Sequence, residues 1–173
     1  MKKIEGAGLG LRHPYFKELI LEQPKQISWL EIHPENYVGA GGYFQQALEQ
    51  LNEFYPIVCH GLTLSLIGVD EFNWNYLKKL KAFLRRYNVP WITDHLCIAR
   101  YKKKFFHDLL PPPFTKEAIK HSVQRVKTIQ DFLEIPVGIE NLSYYLSPYP
   151  AEMTEAEFLS EIVERANAYI LLD

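Results

Sequence analysis

The sequence has few cysteines, little net charge and no long apolar run, and each absence excludes a class of protein. Two cysteines, Cys59 and Cys97, make neither a disulfide framework nor a CxxC zinc site. A formal net charge of −2 among 173 residues gives no global attraction to nucleic acid or anionic lipid. The apolar stretches are too short to span a bilayer, and no secretory signal opens the chain. We therefore expect a cytoplasmic protein with reduced thiols and with neither a nucleic-acid nor a membrane partner.

Short apolar runs alternate along the chain with longer amphipathic runs. The short runs predict six strands, at residues 6–11, 27–32, 57–60, 91–94, 137–140 and 169–173. Helical periodicity predicts helices at residues 14–21, 43–54, 72–87 and 116–133, and a fifth after the capping box of Thr154 and Glu157. This alternation is typical of an α/β fold in which helical crossovers join parallel strands.

Two architectures fit the alternation, an open doubly wound sheet and a (β/α)8 barrel. The glycines at positions 6, 8 and 10 resemble a dinucleotide loop, but their spacing differs from G-x-G-x-x-G and a poor helix opening follows them. The irregular stretch 96–115 alternates around Tyr101 and Phe106, which predicts a hairpin inserted after the fourth strand.

Polar side chains stand at the C-terminal ends of five consecutive predicted strands. In chain order they are His33, Glu35 and Asn36, then His60, then Asp94 and His95, then Glu140 and Asn141, and finally Asp173. The C-terminal ends of parallel strands share one face, where the loops converge. Imidazole and carboxylate ligands suit iron, zinc or manganese, and so many acids without a cation would repel one another. The pattern favours a metal site.

Taken singly, each of these residues also has an ordinary structural explanation. His60 before a glycine is typical of a hydrogen-bonded turn, and Asp94 or Glu140 could cap a following segment. Among the remaining residues, His121 is interpreted as a surface residue of a helix. Cys59 and Cys97 are interpreted as small buried apolar residues and not as metal ligands.

Seven ordered motifs carry a family resemblance that covers the chain from about residue 6 to residue 173. They are GLGLR at 8–12, ENY at 35–37, HGLTLSL at 60–66, DHLC at 94–97, HDLLP at 107–111, ENLSYY at 140–145 and LLD at 171–173. In these segments the chain resembles the DUF692 (UPF0276) family, the multinuclear non-haem iron-dependent oxidases. The resemblance implies a TIM barrel of the xylose-isomerase-like kind, with two or three iron ions at its C-terminal face and dioxygen as oxidant. It also implies a cysteine-containing precursor peptide as substrate and a small partner protein that binds the peptide's leader.

The resemblance also implies roles for particular residues. His60, His95, Glu140 and Asp173 match iron ligands, with Glu140 as a bridge between two irons and Asn141 at a position that serves a third. Asp94 and His107 match family motifs and are expected to act in catalysis, beside the ligands or on the substrate side. Residues 35–36 are expected at the mouth of the barrel.

The family's barrel continues beyond the LLD motif, where this sequence stops. A TIM barrel needs about 250 residues. We therefore expect residues 1–173 to form a single TIM-barrel domain of about six βα units that lacks the last strands. Two alternatives stay open from the residues themselves, another divalent-metal TIM-barrel enzyme of the sugar-isomerase or endonuclease type, and a truncated non-catalytic fragment.

Overall fold

The computed structural model describes residues 4–102, 104–145 and 148–173, and leaves out the side chains of Phe105, His107 and Asp108. The described residues form eight strands and five α-helices. In chain order these are β1 (Gly8–Gly10), α1 (Phe16–Glu22), β2 (Trp29–Ile32), α2 (Tyr43–Phe54), β3 (Ile57–His60), α3 (Trp74–Arg86), β4 (Ile92–His95), β5 (Ile98–Tyr101), β6 (Lys104–Leu110), α4 (Lys116–Leu133), β7 (Val137–Glu140), α5 (Glu155–Ala166) and β8 (Tyr169–Leu171).

The chain divides into two compact units. The first contains the residues up to His60 together with Trp74–Trp91, and the second contains Gly61–Asn73 together with Ile92–Asp173. In the first unit β1, β2 and β3 pair in parallel. In the second unit β4, β7 and β8 pair in parallel. The predicted alternation is thus confirmed, and this mostly parallel α/β arrangement is consistent with a partial TIM-barrel-like fold.

The core of the first unit comes from helical faces and strands that are apolar at the expected spacing. Helix α2 buries Ala47, Leu48 and Leu51, and α3 buries Leu77, Leu80, Phe83 and Leu84. Strand β3 is buried along its whole length. Full burial of one such side chain stabilises the fold by about 1.5–3 kcal/mol, so the packing of these faces stabilises the first unit.

Capping groups and one glutamine fix the helices of the second unit. The Thr115 side chain accepts the Ala118 N–H at 3.2 Å at the start of α4, and the predicted capping box of Thr154 and Glu157 begins α5. The Gln130 side chain donates to the Ala166 carbonyl at 2.9 Å and accepts the Val137 N–H at 3.0 Å, which ties α4 to α5 and β7. Within the described residues, no helix is both long and apolar enough to cross a membrane.

The inserted hairpin is confirmed, since β5 and β6 pair antiparallel as a separate two-stranded sheet. The first helix differs from the prediction in its start. A short 3-10 turn, His13–Tyr15, precedes it, because the Tyr15 and Phe16 N–H groups bond to carbonyls three residues back, and α1 begins only at Phe16. Strand β4 extends one residue past its predicted end and so includes His95.

Candidate metal centre

Two predicted ligands of the second unit lie side by side at the ends of neighbouring strands. His95 is the last residue of β4 and Glu140 the last of β7, and the parallel register pairs their Cα atoms. The His95 Nε2 atom lies 3.2 Å from the Glu140 Oε2 atom, and both side chains are largely buried, with 14% and 13% exposed. An imidazole nitrogen and a carboxylate oxygen therefore converge on one point, as ligands of a divalent metal do.

Asp94 lies directly before His95 and has a fully buried carboxylate. Its Oδ2 atom accepts the Leu64 N–H at 2.9 Å, and its Oδ1 atom accepts the His95 N–H at 2.7 Å. Hydrogen bonds to an ionised acceptor are about twice as strong as neutral ones. Asp94 thus anchors the segment after β3 and fixes the backbone of His95. Its predicted catalytic role stays a prediction.

Gly61 explains why the segment after β3 can approach Asp94 so closely. Its N–H donates to the Thr93 carbonyl at 2.6 Å. A Cβ atom built on Gly61 would lie 2.7 Å from the Asp94 Oδ2 atom, which is closer than real Cβ contacts allow. A larger residue at the position that follows His60 would therefore have to displace the Asp94 carboxylate.

His60 ends β3 in the first unit and is buried, with 7% of its surface exposed. The His33 ring stands edge-on to the His60 ring, with centroids 5.6 Å apart. The His33 Nδ1 atom lies 2.9 Å from the His60 carbonyl oxygen. A carbonyl oxygen can only accept a hydrogen bond, so the His33 Nδ1 atom carries a proton and donates to this carbonyl. His33 therefore fixes the backbone at the end of β3.

Asn141 and Asp173, two further predicted ligands, are joined through the main chain of Asp173. The Asp173 N–H donates to the Asn141 Oδ1 atom at 2.8 Å, and the Asn141 Nδ2 group donates to the Asp173 carbonyl at 3.4 Å. Asn141 directly follows Glu140, so this link ties Asp173, two residues after β8, to the end of β7. The Asp173 residue itself is exposed.

The remaining predicted site residues lie in varied settings. The side chain of His107 is outside the described residues, and its backbone belongs to β6. Glu35 is half-buried and accepts the Tyr76 hydroxyl at 3.1 Å. His121 differs from the interpretation as a surface residue. It is half-buried, and its Nε2 atom lies 2.9 Å from the Gly68 carbonyl oxygen.

Both cysteines are buried and free, which confirms their interpretation as small buried residues. Burial, with Asp94 and Glu140 nearby, raises the pKa of the Cys97 thiol to about 12. Burial also raises the pKa of the Cys59 thiol well above its ordinary value, with Glu35 and Glu31 adding to the effect. The two predicted ligands that lie together, His95 and Glu140, are nitrogen and oxygen donors.

Arg125 on α4 is the functional residue that sequence reasoning missed. It is buried, donates from Nε to the Ser65 carbonyl at 3.1 Å and from an Nη group to the Asp70 carbonyl at 2.9 Å, and stacks 4.0 Å from the Phe72 ring centroid. It thereby holds residues 65–72 of the segment after β3. The signal was its position, three residues after the buried Ser122 and four residues before the buried Ile129, which puts it on the buried face of α4.

A parallel βα chain with imidazole and carboxylate groups at its strand ends has the arrangement in which α/β proteins carry their functional sites. More particularly, residues 6–173 match the family described as RiPP precursor modification enzyme MbnB/TglH/ChrH, where RiPP denotes a ribosomally made and later modified peptide. The chain belongs to this family, which confirms the resemblance to the UPF0276 proteins.

Individual relatives bear the description UPF0276 protein. The chain is 39% identical to one from Shewanella loihica over 166 residues, which is 96% of this chain and 59% of the relative. It is 38% identical to one from Haemophilus influenzae over 172 residues, which is 99% of this chain and 56% of the relative. The chain thus spans a little under three fifths of the length of these relatives.

Proposed function

We propose that the chain belongs to an iron-dependent oxidase that uses dioxygen to modify cysteine residues of a ribosomally made precursor peptide. Family membership supports the peptide substrate, since the family description names precursor modification. The observation that supports a metal site is the close approach of the His95 and Glu140 side chains at the ends of β4 and β7.

His95 and Glu140 are the proposed first ligands of the metal. His60 is proposed beside them because the family resemblance matches it to an iron ligand. Each ends its own strand, β3, β4 or β7. Asp173 is proposed as a further iron ligand, Glu140 as a bridge between two irons and Asn141 as a ligand of a third, which makes a total of two or three. The donor set is nitrogen and oxygen, and it suits iron because no thiolate competes for the ion.

Bound iron would supply the reduction of dioxygen and would hold the substrate cysteine as a thiolate. The chain's own residues would hold the ligands and the segment after β3 in place. Asp94 fixes the backbone that carries His95, Gly61 allows the segment after β3 to pass against Asp94, and Arg125 holds that segment from α4. A small leader-binding protein is the proposed partner, as the family resemblance implies.

The test is anaerobic reconstitution of the chain with Fe(II), then exposure to oxygen with a cysteine-containing precursor peptide. The peptide mass is read by mass spectrometry, and the same peptide with serine in place of cysteine is the control. We expect a mass change only for the cysteine peptide, only with oxygen, and not with Glu140→Ala. Glu164→Ala, which alters an exposed acid of α5, should behave as the unmodified chain does.

Iron binding without any change of the peptide mass would refute oxidase activity for these 173 residues. Stoichiometric zinc or manganese, with iron excluded, would favour a different metal-dependent enzyme.

A further inference from the structure

The first unit carries a groove of about 380 Å³ beside α3. Aromatic side chains line it, and the Phe83 and Tyr87 rings lie 4.7 Å apart between centroids. With Tyr37 they are almost completely buried, with 5%, 9% and 4% exposed for Tyr37, Phe83 and Tyr87. The groove therefore has a firm apolar floor.

One side of the groove is a loop of small residues. Val38, Gly39 and Ala40 line this side, and a Cβ atom at Gly39 would meet nothing within 4 Å. Gly39 also has a φ of +80°, which favours glycine. Such a wall exposes main chain instead of long side chains, so an extended polypeptide can lie against it.

The other side of the groove is formed by the basic helix α3 and carries two cations. Helix α3 carries five cations, Lys78, Lys79, Lys81, Arg85 and Arg86, and no acidic residue. Lys79 and Arg86 line the groove. Arg86 pairs with Glu49 of α2, the acid that faces it. Lys79 is exposed and pairs with no acid in the part of the chain that the structure describes. A local positive surface thus exists on a chain whose net charge is −2.

The spacing of the two groove cations sets the size of the ligand. Lys79 and Arg86 are seven residues apart on one helix, which is about 10.5 Å along its axis. About three residues of extended polypeptide cover that length. A single carboxylate or phosphate cannot reach both cations, whereas two acidic side chains of one peptide can.

We propose that this groove binds an acidic stretch of the peptide substrate in an extended conformation, with carboxylates at Lys79 and Arg86. The identity of the ligand as the substrate rests on the proposed function. A polypeptide fits better than a nucleic acid, because the aromatic rings form the buried floor and offer no exposed face for base stacking.

The test is fluorescence anisotropy with a fluorescein-labelled decapeptide of alternating glutamate and alanine, and with the same peptide carrying glutamine for glutamate. Metal-free chain is used without oxygen, so the result does not depend on the iron chemistry. We expect binding of the glutamate peptide only, weakened several-fold between 50 and about 300 mM salt.

Charge-reversed variants localise the binding. Lys79→Glu, which leaves the pair of Arg86 and Glu49 in place, is expected to weaken binding about threefold, and Lys79→Glu with Arg86→Glu at least about tenfold. The matched control is Lys120→Glu with Lys127→Glu, two exposed cations of α4, which should change nothing. Circular dichroism verifies that each variant is folded.

Equal binding of the glutamate and glutamine peptides, or full binding by the folded double variant, would overturn the proposal. Tighter binding of single-stranded DNA or of anionic phosphatidylserine vesicles, lost in the same variants, would also overturn it. If the peptide binds here but the iron-loaded chain never modifies a cysteine, the groove stands as an acidic-peptide site and only the oxidase proposal fails.

Discussion

Replacement of Arg125 by leucine should destabilise the chain by removing the main anchor of the segment after β3. The guanidinium donates to the Ser65 and Asp70 carbonyls and lies 4.0 Å from the Phe72 ring centroid. Hydrogen bonds from a charged donor each contribute about 1.5–3 kcal/mol, and the cation–π contact adds about 0.5–2 kcal/mol. Relief from keeping a charge buried offsets part of this, since burial lowers the pKa of Arg125 to about 10. We expect a net loss of about 2–4 kcal/mol.

The assay is equilibrium urea unfolding, supported by thermal melting. A loss of that size should lower the melting temperature by about 5–12 °C for a chain of this length. Lys127→Leu is the matched control, since it removes an exposed cation from the same helix and should have little effect. Arg125→Lys should fall between the two, because one ammonium group lacks the fork that reaches both carbonyls.

Equal urea midpoints for Arg125→Leu and Lys127→Leu would refute the anchoring role. Full rescue by Arg125→Lys would show that charge alone matters and that the geometry of the two hydrogen bonds does not.

Two further predictions concern the groups beside the candidate metal centre. Gly61→Ala should cost about 1–3 kcal/mol in urea unfolding, because its Cβ would lie 2.7 Å from the Asp94 Oδ2 atom, whereas Gly10→Ala, with nothing within 4 Å, should be nearly neutral. An unchanged midpoint for Gly61→Ala would contradict the close approach. The Cys97 thiol has a pKa raised from 9.0 to about 12, so its contribution to stability is complete below pH 9 and is lost as the pH rises toward 12. Cys97→Ala should therefore lose about 1 kcal/mol less stability than the unmodified chain between pH 8 and pH 10, and identical pH slopes would disprove this.

Much of the fold follows from periodicity that can be read in the sequence. Helix α4 and strand β7 match their predicted bounds, because a long apolar stripe and a four-residue apolar run between turn residues leave few alternatives. The turn His13–Tyr15 was not predicted, since one proline and three residues carry little periodic signal. The pairing of β4 with β7 across the inserted hairpin also depends on tertiary structure.

The candidate site was predictable in its residue types and less so in its contacts. Position at strand ends placed His95 and Glu140 on one face, and the register of β4 with β7 brings their side chains to 3.2 Å. The bonds of Asp94 to the Leu64 and His95 N–H groups depend on the path of the segment after β3. A local sequence pattern cannot predict that path, because it depends on Gly61 in the segment itself and on Arg125 in α4.

Iron content per chain tests the proposed metal centre most directly. Chain purified and reconstituted anaerobically with Fe(II), then desalted, is measured by inductively coupled plasma mass spectrometry beside His95→Ala, Glu140→Ala and the control Glu164→Ala. We predict at least about one iron per chain in the unmodified protein and in the control, and loss of most of it in the other two variants, because each of them removes one ligand of a small set. Equal iron in all four proteins, or none in the unmodified chain, would contradict the assignment of His95 and Glu140 as metal ligands.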